Sequence, residues 1–190
     1  MQGSLSGKVA LVAGSSYGIG RAIAVKLAQN GADIVVNGRH EESGLETVEH
    51  IRSMGHRAIF ESADVTNYQQ VRQMVSNSIQ RLGKIDILVA SGGRPAKEAG
   101  LGFFRETKPE EYISYAESQW FSRLYCVRAV LDHMIERQSG KIVMISTDAG
   151  RWPTPGECLS GGAAAALVIA TKVLASEFAR WKIRVNTICL

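Results

Sequence analysis

Short aliphatic runs alternate with amphipathic helical stretches along the whole chain, and this alternation limits the possible folds more than any other feature. Runs such as 34–36 and 85–89 are nearly continuous in apolar residues, as in strands buried on both faces of a parallel sheet. Gly83 follows a helical stretch and suits a left-handed helix end. The predicted strands are 8–13, 32–37, 57–61, 85–90, 141–147 and 184–189, and the predicted helices are 19–30, 41–54, 68–82, 109–138 and 157–181.

Alternating strands and helices predict right-handed crossovers and an α/β fold with a Rossmann-like, doubly wound parallel sheet. The length of 190 residues favours a single domain, 1–190, with one substantial core. The sixth predicted strand ends the chain. The irregular stretch 91–108 follows the fourth strand, at the edge where such sheets bind ligands.

Composition argues against several classes of function. The net charge is +4, but cations alternate with acids along helices, so no basic face for nucleic acid is predicted. The three cysteines lie far apart and fit neither a zinc site nor a disulfide scaffold, which favours a reducing compartment. Residues 1–7 do not resemble a signal peptide, and the apolar run 163–170 is too short to span a bilayer. We therefore expect a cytoplasmic protein without a metal, membrane or nucleic-acid partner.

A glycine-rich turn follows the first predicted strand and opens the first helix. Because glycines lack side chains, such a turn closes tightly and lets a pyrophosphate approach backbone N–H groups at a helix N-terminus. The alternative interpretation is that the glycines only permit close packing of strand and helix. The predicted nucleotide-binding residues of this turn are Gly14, Ser16, Tyr17, Gly18, Ile19 and Gly20.

The second and third strands end in residues that suit an adenosine half of a cofactor. Gly38 and Arg39 stand where an NAD site usually offers a carboxylate, and they leave room and positive charge for a 2′-phosphate, so NADP is the predicted cofactor. Alternatively, Arg39 simply begins the next helix as a surface residue. Asp64 and Val65 are predicted to lie near the adenine, unless Asp64 only caps the helix that starts near Asn67.

These motifs, together with 83–89, 140–143 and 183–186, resemble signatures of the short-chain dehydrogenase/reductase family over essentially the whole chain. The family's chemistry uses a tyrosine acid, a lysine that lowers its pKa, a serine and an asparagine. The resemblance places these four roles on Ser160, Ala164, Thr147 and Gln119, respectively. Neither Ser160 nor Ala164 can replace its counterpart, and general acid–base catalysis contributes roughly 10²–10⁴-fold. The resemblance therefore implies a degenerate centre, inactive by the usual route.

Other residues near the expected cleft could substitute for the missing groups, although each is better explained as a surface or packing residue. The family also normally continues beyond the sixth strand with a substrate-covering helix, so a chain that ends here would lack much of its substrate lid. The candidate substitutes are Tyr17, Arg94, Lys97, Tyr112, Tyr115, Asp148 and Arg151.

The helices 109–138 and 157–181 resemble the pair through which family members associate, and both carry many apolar positions. We expect a dimer or tetramer with an active paralogue or with itself. The leading hypothesis is a non-catalytic subunit that stabilises or regulates an active dehydrogenase, possibly one acting on acyl-CoA or other carbonyl or alcohol substrates. The alternatives are an NADP-dependent oxidoreductase with substitute residues and an NADP-binding sensor. The apolar positions are Trp120, Phe121, Leu124, Val127, Leu131, Leu167, Ala170, Leu174 and Phe178.

Overall fold

The computed structural model describes residues 4–93 and 101–190 of the chain. Its strands are β1 Val9–Ala13, β2 Asp33–Gly38, β3 Ala58–Ser62, β4 Ile87–Ala90, β5 Gly140–Ser146 and β6 Ile183–Cys189. They form one sheet of six parallel strands in the order β3-β2-β1-β4-β5-β6. The predicted Rossmann-like fold is confirmed, and the strand order reverses direction between β1 and β4.

Helices cover both faces of the sheet. They are α1 Gly18–Gln29, α2 Glu41–Ser53, α3 Tyr68–Leu82, α4 Tyr112–Ala116, α5 Ser122–Glu136 and α6 Cys158–Phe178. The first two pack on one face, and α3, α5 and α6 pack on the other. Strands such as β1 are buried along their whole length because both faces are covered.

The ends of α3 follow the sequence closely. The Asn67 side chain accepts a hydrogen bond from Gln70 N at 3.1 Å and caps the helix, and Gly83 ends it with φ of 81°. The alternative in which Asp64 caps this helix is therefore wrong. Its carboxylate is turned instead toward Thr66, whose N–H and hydroxyl both donate to Asp64 Oδ1.

The predicted helix 109–138 is not uniform. It begins as a 3₁₀ turn, passes through α4, widens to a π-turn at Glu117–Phe121 and continues as α5 to Glu136. The widened turn lies against the loop after β4, where the Gly93 backbone packs on the carbonyl of Ser118. Gln138 takes a left-handed conformation with φ of 51°, so the helix ends before it.

Helix α6 is apolar on more sides than its own sheet covers. With the 3₁₀ turn that follows it, the helix Cys158–Trp181 is long and apolar enough to cross a membrane, with a mean hydropathy of 1.7 in its most apolar part. The sequence analysis expected no segment long enough to span a bilayer because it took only the run 163–170, which is part of this longer helix. Only 17% of that part is buried in the chain, while Ile169 and Val173 are 59% and 50% exposed.

Most of the apolar positions named for association pack in the chain's own core, while association through the two helices stays a prediction. Val127, Leu167 and Phe178 are buried there, and Trp120, Leu131 and Leu174 pack against it. The spacing that marks a buried helix face is the same whichever surface covers it, so sequence alone did not separate the two. The exposed apolar residues of α6 are instead Ile169 and Val173.

A buried aspartate connects the amino ends of three strands through its side chain and its backbone carbonyl. Asp86 precedes β4 and is 5% exposed. Its Oδ2 accepts from Val9 N at 2.9 Å, and its Oδ1 accepts from Arg137 Nη2 at 2.7 Å. Its carbonyl accepts from Lys141 N at the start of β5. The Asp86 side chain thus links β1 to the end of α5 through charge-assisted hydrogen bonds.

Replacing Asp86 with alanine is expected to lower the free energy of unfolding by roughly 3 kcal/mol, because Arg137 and Val9 N lose a buried partner. Chemical denaturation would measure the loss. The control is Asp132→Ala, which breaks the exposed pair with Arg128 at 2.9 Å and should change stability little. Equal losses in the two variants would contradict this role for Asp86.

The same carboxyl group gives stability a defined pH dependence. Burial opposes ionisation of Asp86, but hydrogen bonds from Arg137 and Val9 and the charges of Arg137 and Lys84 outweigh it and hold its pKa below the ordinary 3.8. A lowered folded pKa contributes stability that is fully present above the unfolded pKa and lost as pH falls through the folded pKa. The difference between wild type and Asp86→Ala should therefore shrink only below about pH 4.

Candidate functional site

A cavity of 770 Å³ opens at the carboxyl ends of the strands, above the point where the strand order reverses between β1 and β4. This is the position at which open α/β sheets bind ligands. The loops after β1, β2, β3, β4 and β5 all contribute to its walls, as does the first part of α6. Every predicted cofactor residue lines it: Gly14, Ser16, Tyr17, Gly18, Ile19, Gly20, Arg39, Asp64 and Val65.

The glycine turn is closed by backbone contacts that no side chain would permit. A Cβ on Gly14 would overlap the Gly92 backbone, and Gly14 has φ of 71°. A Cβ on Gly20 would overlap the Gly14 carbonyl. Gly14 and Gly20 therefore permit close packing of the backbone. The same turn lines the cavity at the N-terminus of α1, where an anion is favoured.

Asn37 holds this turn in place, a role that the sequence analysis missed. Its side chain is buried at the end of β2. Asn37 Oδ1 accepts from Gly14 N at 3.0 Å, and Nδ2 donates to Glu61 O at 3.1 Å and Ala63 O at 3.2 Å. One amide thus connects the glycine turn to the end of β3. An asparagine inside an otherwise apolar strand is the signal that could have found it.

Arg39 and Asp64 face each other across the cavity rim. Arg39 lies before α2, which begins at Glu41, so it does not start that helix, but its side chain is 57% exposed, as the surface alternative expected. Its Nη1 is 3.7 Å from Asp64 Oδ2. Burial opposes ionisation of Asp64, but the Thr66 hydrogen bonds and the charge of Arg39 outweigh it and lower its pKa. The pair is partly solvent-exposed and contributes little to stability, but it places opposite charges at the rim of the cavity.

The four positions matched to the family's catalytic residues also come together in this cavity. Ser160 and Ala164 lie in the first turns of α6 and present a short hydroxyl and a methyl group. Thr147 follows β5 and its hydroxyl accepts from Ala149 N at 3.4 Å. The Gln119 amide donates to the Gly93 carbonyl and accepts from Arg123. All four residues therefore line one cavity, but Ser160 provides no phenol and Ala164 provides no ammonium group.

Some of the candidate substitute residues line the cavity and others do not. Tyr17 and Tyr115 line the cavity. The Tyr112 hydroxyl is instead 2.7 Å from Thr107 Oγ1, and Arg151 is exposed with its guanidinium 6.0 Å from the ring centre of Trp152. Asp148 opens a 3₁₀ turn and is not among the cavity residues. Arg94 and Lys97 lie outside the described residues.

Arg123 is the second cavity residue that sequence analysis missed. It is 7% exposed on α5, one helical turn after Gln119, and therefore on the same side of the helix. Its guanidinium donates to Ile145 O at 3.2 Å and to Ser118 O at 2.8 Å. A basic residue within the apolar run 120–127 was the available signal.

Comparison with known proteins agrees with this architecture. The profile described as short chain dehydrogenase matches residues 8–190. An uncharacterized oxidoreductase of Thermotoga maritima is 33% identical over 186 residues, which are 98% of this chain and 72% of that protein. The chain thus spans somewhat more than two thirds of that relative's length.

Solved structures show the same fold. Gluconate 5-dehydrogenase from Burkholderia cenocepacia J2315, in complex with NADP and tartrate, superposes with a TM-score of 0.90 and 30% identity, covering 97% of this chain and 71% of that one. Carveol dehydrogenase from Mycobacterium avium, in complex with NAD, gives a TM-score of 0.90 with 26% identity and covers 98% and 71%. Both neighbours hold a nicotinamide dinucleotide.

Replacing Asn37 with aspartate is expected to destabilise the chain by about 3 kcal/mol, because two buried carbonyls lose their donor and face a carboxylate oxygen instead. The acceptor for Gly14 N is kept. The matched control is Asn67→Asp, which changes the same groups where only the acceptor is used, and it should be nearly neutral. Urea denaturation measures both, and similar losses would contradict the network assigned to Asn37.

Proposed function

The chain belongs to the short-chain dehydrogenase family, and from that premise we infer that it is a non-catalytic, NADP-binding subunit that stabilises or regulates an active relative. Members named in the comparisons are oxidoreductases. In this role the chain would keep the nucleotide-binding fold of these enzymes, and a different chain would carry out the reaction.

One observation carries the proposal: Ser160 and Ala164 line the cavity at the positions matched to the tyrosine and lysine. An aliphatic hydroxyl is far less acidic than a phenol, and a methyl group provides no charge. Positioned acid–base groups contribute roughly 10²–10⁴-fold, so a centre without them should turn over negligibly by the usual route. The intact turn and the missing groups together favour binding without catalysis.

NADP is the proposed nucleotide because Arg39 lines the cavity beside the end of β2. A 2′-phosphate would accept charge-assisted hydrogen bonds from its guanidinium. A Cβ on Gly38 would overlap Ser16 Oγ, so the backbone of β2 approaches the turn closely at this point. The NADP complex of the Burkholderia enzyme supports this choice, while the NAD complex of the Mycobacterium enzyme shows that the fold accepts either nucleotide.

The outer face of α6 supports association. Ile169 is 59% exposed and Val173 is 50% exposed. The inner face of the same helix already packs on β6 and the core. Thr171, between them in sequence, is buried and hydrogen-bonded to Thr187 of β6. A subunit covering this face would remove its apolar side chains from water. We therefore propose α6 as the contact to the active relative, in a dimer or tetramer.

A second candidate function is an oxidoreductase that uses substitute residues. The observation in its favour is that Tyr115 and Arg123 both line the cavity. They bring a phenol and a cation to the same cavity. They lie on α4 and α5, whereas the matched positions 160 and 164 lie on α6. This candidate requires the purified chain to reduce carbonyl compounds by itself.

The first test is the composition of the complex. Native mass spectrometry of the chain recovered from its source cells should show a mixed oligomer with a relative that has an intact Tyr-x-x-x-Lys pair. Replacing both Ile169 and Val173 with aspartate should reduce that oligomer at least about tenfold, because two charges would be buried. Leu45→Asp, an exposed apolar position on α2, is the matched control and should leave it intact.

Two results would contradict the proposed subunit role. Carbonyl reduction with NADPH by the purified chain, lost in Tyr115→Phe, would establish the second candidate. A homo-oligomer that binds NADP without turnover would instead indicate a nucleotide sensor.

The cofactor preference gives an independent prediction. Arg39→Asp should weaken NADP binding about 10–100-fold while changing NAD binding less, since a charged pair with the 2′-phosphate is replaced by repulsion. Calorimetric titration of both nucleotides measures the change. Arg72→Asp, on the exposed side of α3, is the control. An unchanged ratio of the two affinities would contradict the role of Arg39.

A further inference from the structure

Gln119, Arg123, Ile145 and Ser146 form one part of the cavity wall, which we call the inner end. This part contains a buried cation, Arg123. Arg123 Nε donates to Ile145 O at 3.2 Å, and Nη1 donates to Ser118 O at 2.8 Å and Ser122 Oγ at 3.3 Å. Nη2 makes one long contact of 3.4 Å with Gln119 Oε1. A guanidinium has five N–H donors. One Nη2–H therefore has no acceptor within the described parts of the chain.

This positive charge has no carboxylate partner among residues 4–93 and 101–190. Burial lowers the pKa of Arg123 to about 10, so the guanidinium remains protonated at neutral pH. Burial raises the pKa of the neighbouring Cys126 thiol to about 12, so the thiol supplies no negative charge. Carbonyl and hydroxyl dipoles alone solvate the cation, although buried charges usually pair with an opposite one.

A second polar group of the cavity wall also lacks a hydrogen-bond partner among the described residues. Ser146 Oγ is buried and makes no hydrogen bond to any described residue. Ser146 directly follows Ile145, whose carbonyl receives the Arg123 Nε–H, and both Ser146 and Arg123 line the cavity. Thus the wall of one cavity holds an N–H and a hydroxyl that have no partner among the described residues.

We propose that Arg123 and Ser146 form a binding site for a carboxylate of a small organic acid at the inner end of the cavity. The Nη2–H would donate to one carboxylate oxygen and the Ser146 hydroxyl to the other. The negative charge would neutralise the guanidinium, which is itself buried, through a charge-assisted hydrogen bond. The residues of this site differ from those proposed for the nucleotide, which are the glycine turn and Arg39, although all of them line the same cavity.

This inference concerns the ligand and does not depend on whether the chain acts alone or beside a catalytic relative. In a non-catalytic subunit the acid would act as a bound effector. In an enzyme the same contact would orient an acidic substrate. The class of ligand is the same in both cases.

The test compares acids with neutral amides of the same shape. Benzoate with benzamide, and acetate with acetamide, are titrated into the purified full chain and followed by ligand-observed NMR. Each acid is expected to bind at least about tenfold more tightly than its amide, which corresponds to roughly 1.4 kcal/mol. Arg123→Met, which keeps the length and removes the charge, should abolish this preference. Arg128→Met, on the exposed side of the same helix and outside the cavity, is the matched control and should retain it.

A second variant keeps the test decisive if Arg123→Met does not fold. Ser146→Ala removes a hydroxyl that makes no hydrogen bond to the described residues, so the fold should survive while the affinity for benzoate falls about 3–10-fold. Equal binding of acid and amide overturns the proposal, as does a preference that persists in Arg123→Met. Failure of both acids to bind the wild-type chain below about 10 mM overturns it as well.

Discussion

The close approach of the loops after β1 and β4 determines the rest of the site. The Gly14 backbone lies against Gly92, with no side chain between them, and Gly93 continues the contact to the carbonyl of Ser118. A continuous backbone contact therefore runs from the start of α1 to the π-turn before α5. That contact sets where Gln119 and Arg123 enter the cavity. A single Cβ at Gly14 or Gly93 would displace the nucleotide turn and the inner end together.

The charges in the cavity differ in how they are compensated. At the nucleotide end, Asp64 offsets the charge of Arg39. At the inner end, the position matched to the family's lysine is Ala164, while the cation is Arg123 on a different helix. Its neighbours among residues 4–93 and 101–190 are dipoles and not a carboxylate. The cavity therefore has an uncompensated positive charge that the resemblance to the family did not lead us to expect.

The sequence predicted what local pattern and covalent chemistry determine. Continuous apolar runs located all six strands, and Asn67 and Gly83 mark the ends of α3. The predicted cofactor residues and the four positions matched to the catalytic residues line one cavity, although their roles remain predictions. The failures involve contacts between distant segments. The Asn37 network, the π-turn and the environment of Arg123 depend on which loops meet, and helical periodicity did not separate Leu167, a core residue, from Ile169, an exposed one.

The exposed apolar residues of α6 have a consequence in the cell for the proposed subunit. A helix this apolar, with Ile169 and Val173 in water, resembles the surfaces that chaperones and proteases recognise on incompletely assembled proteins. Copies made in excess of whatever covers α6 would be degraded or would aggregate. The steady-state abundance of the chain would then follow that of its covering subunit, whatever the rate of its own synthesis.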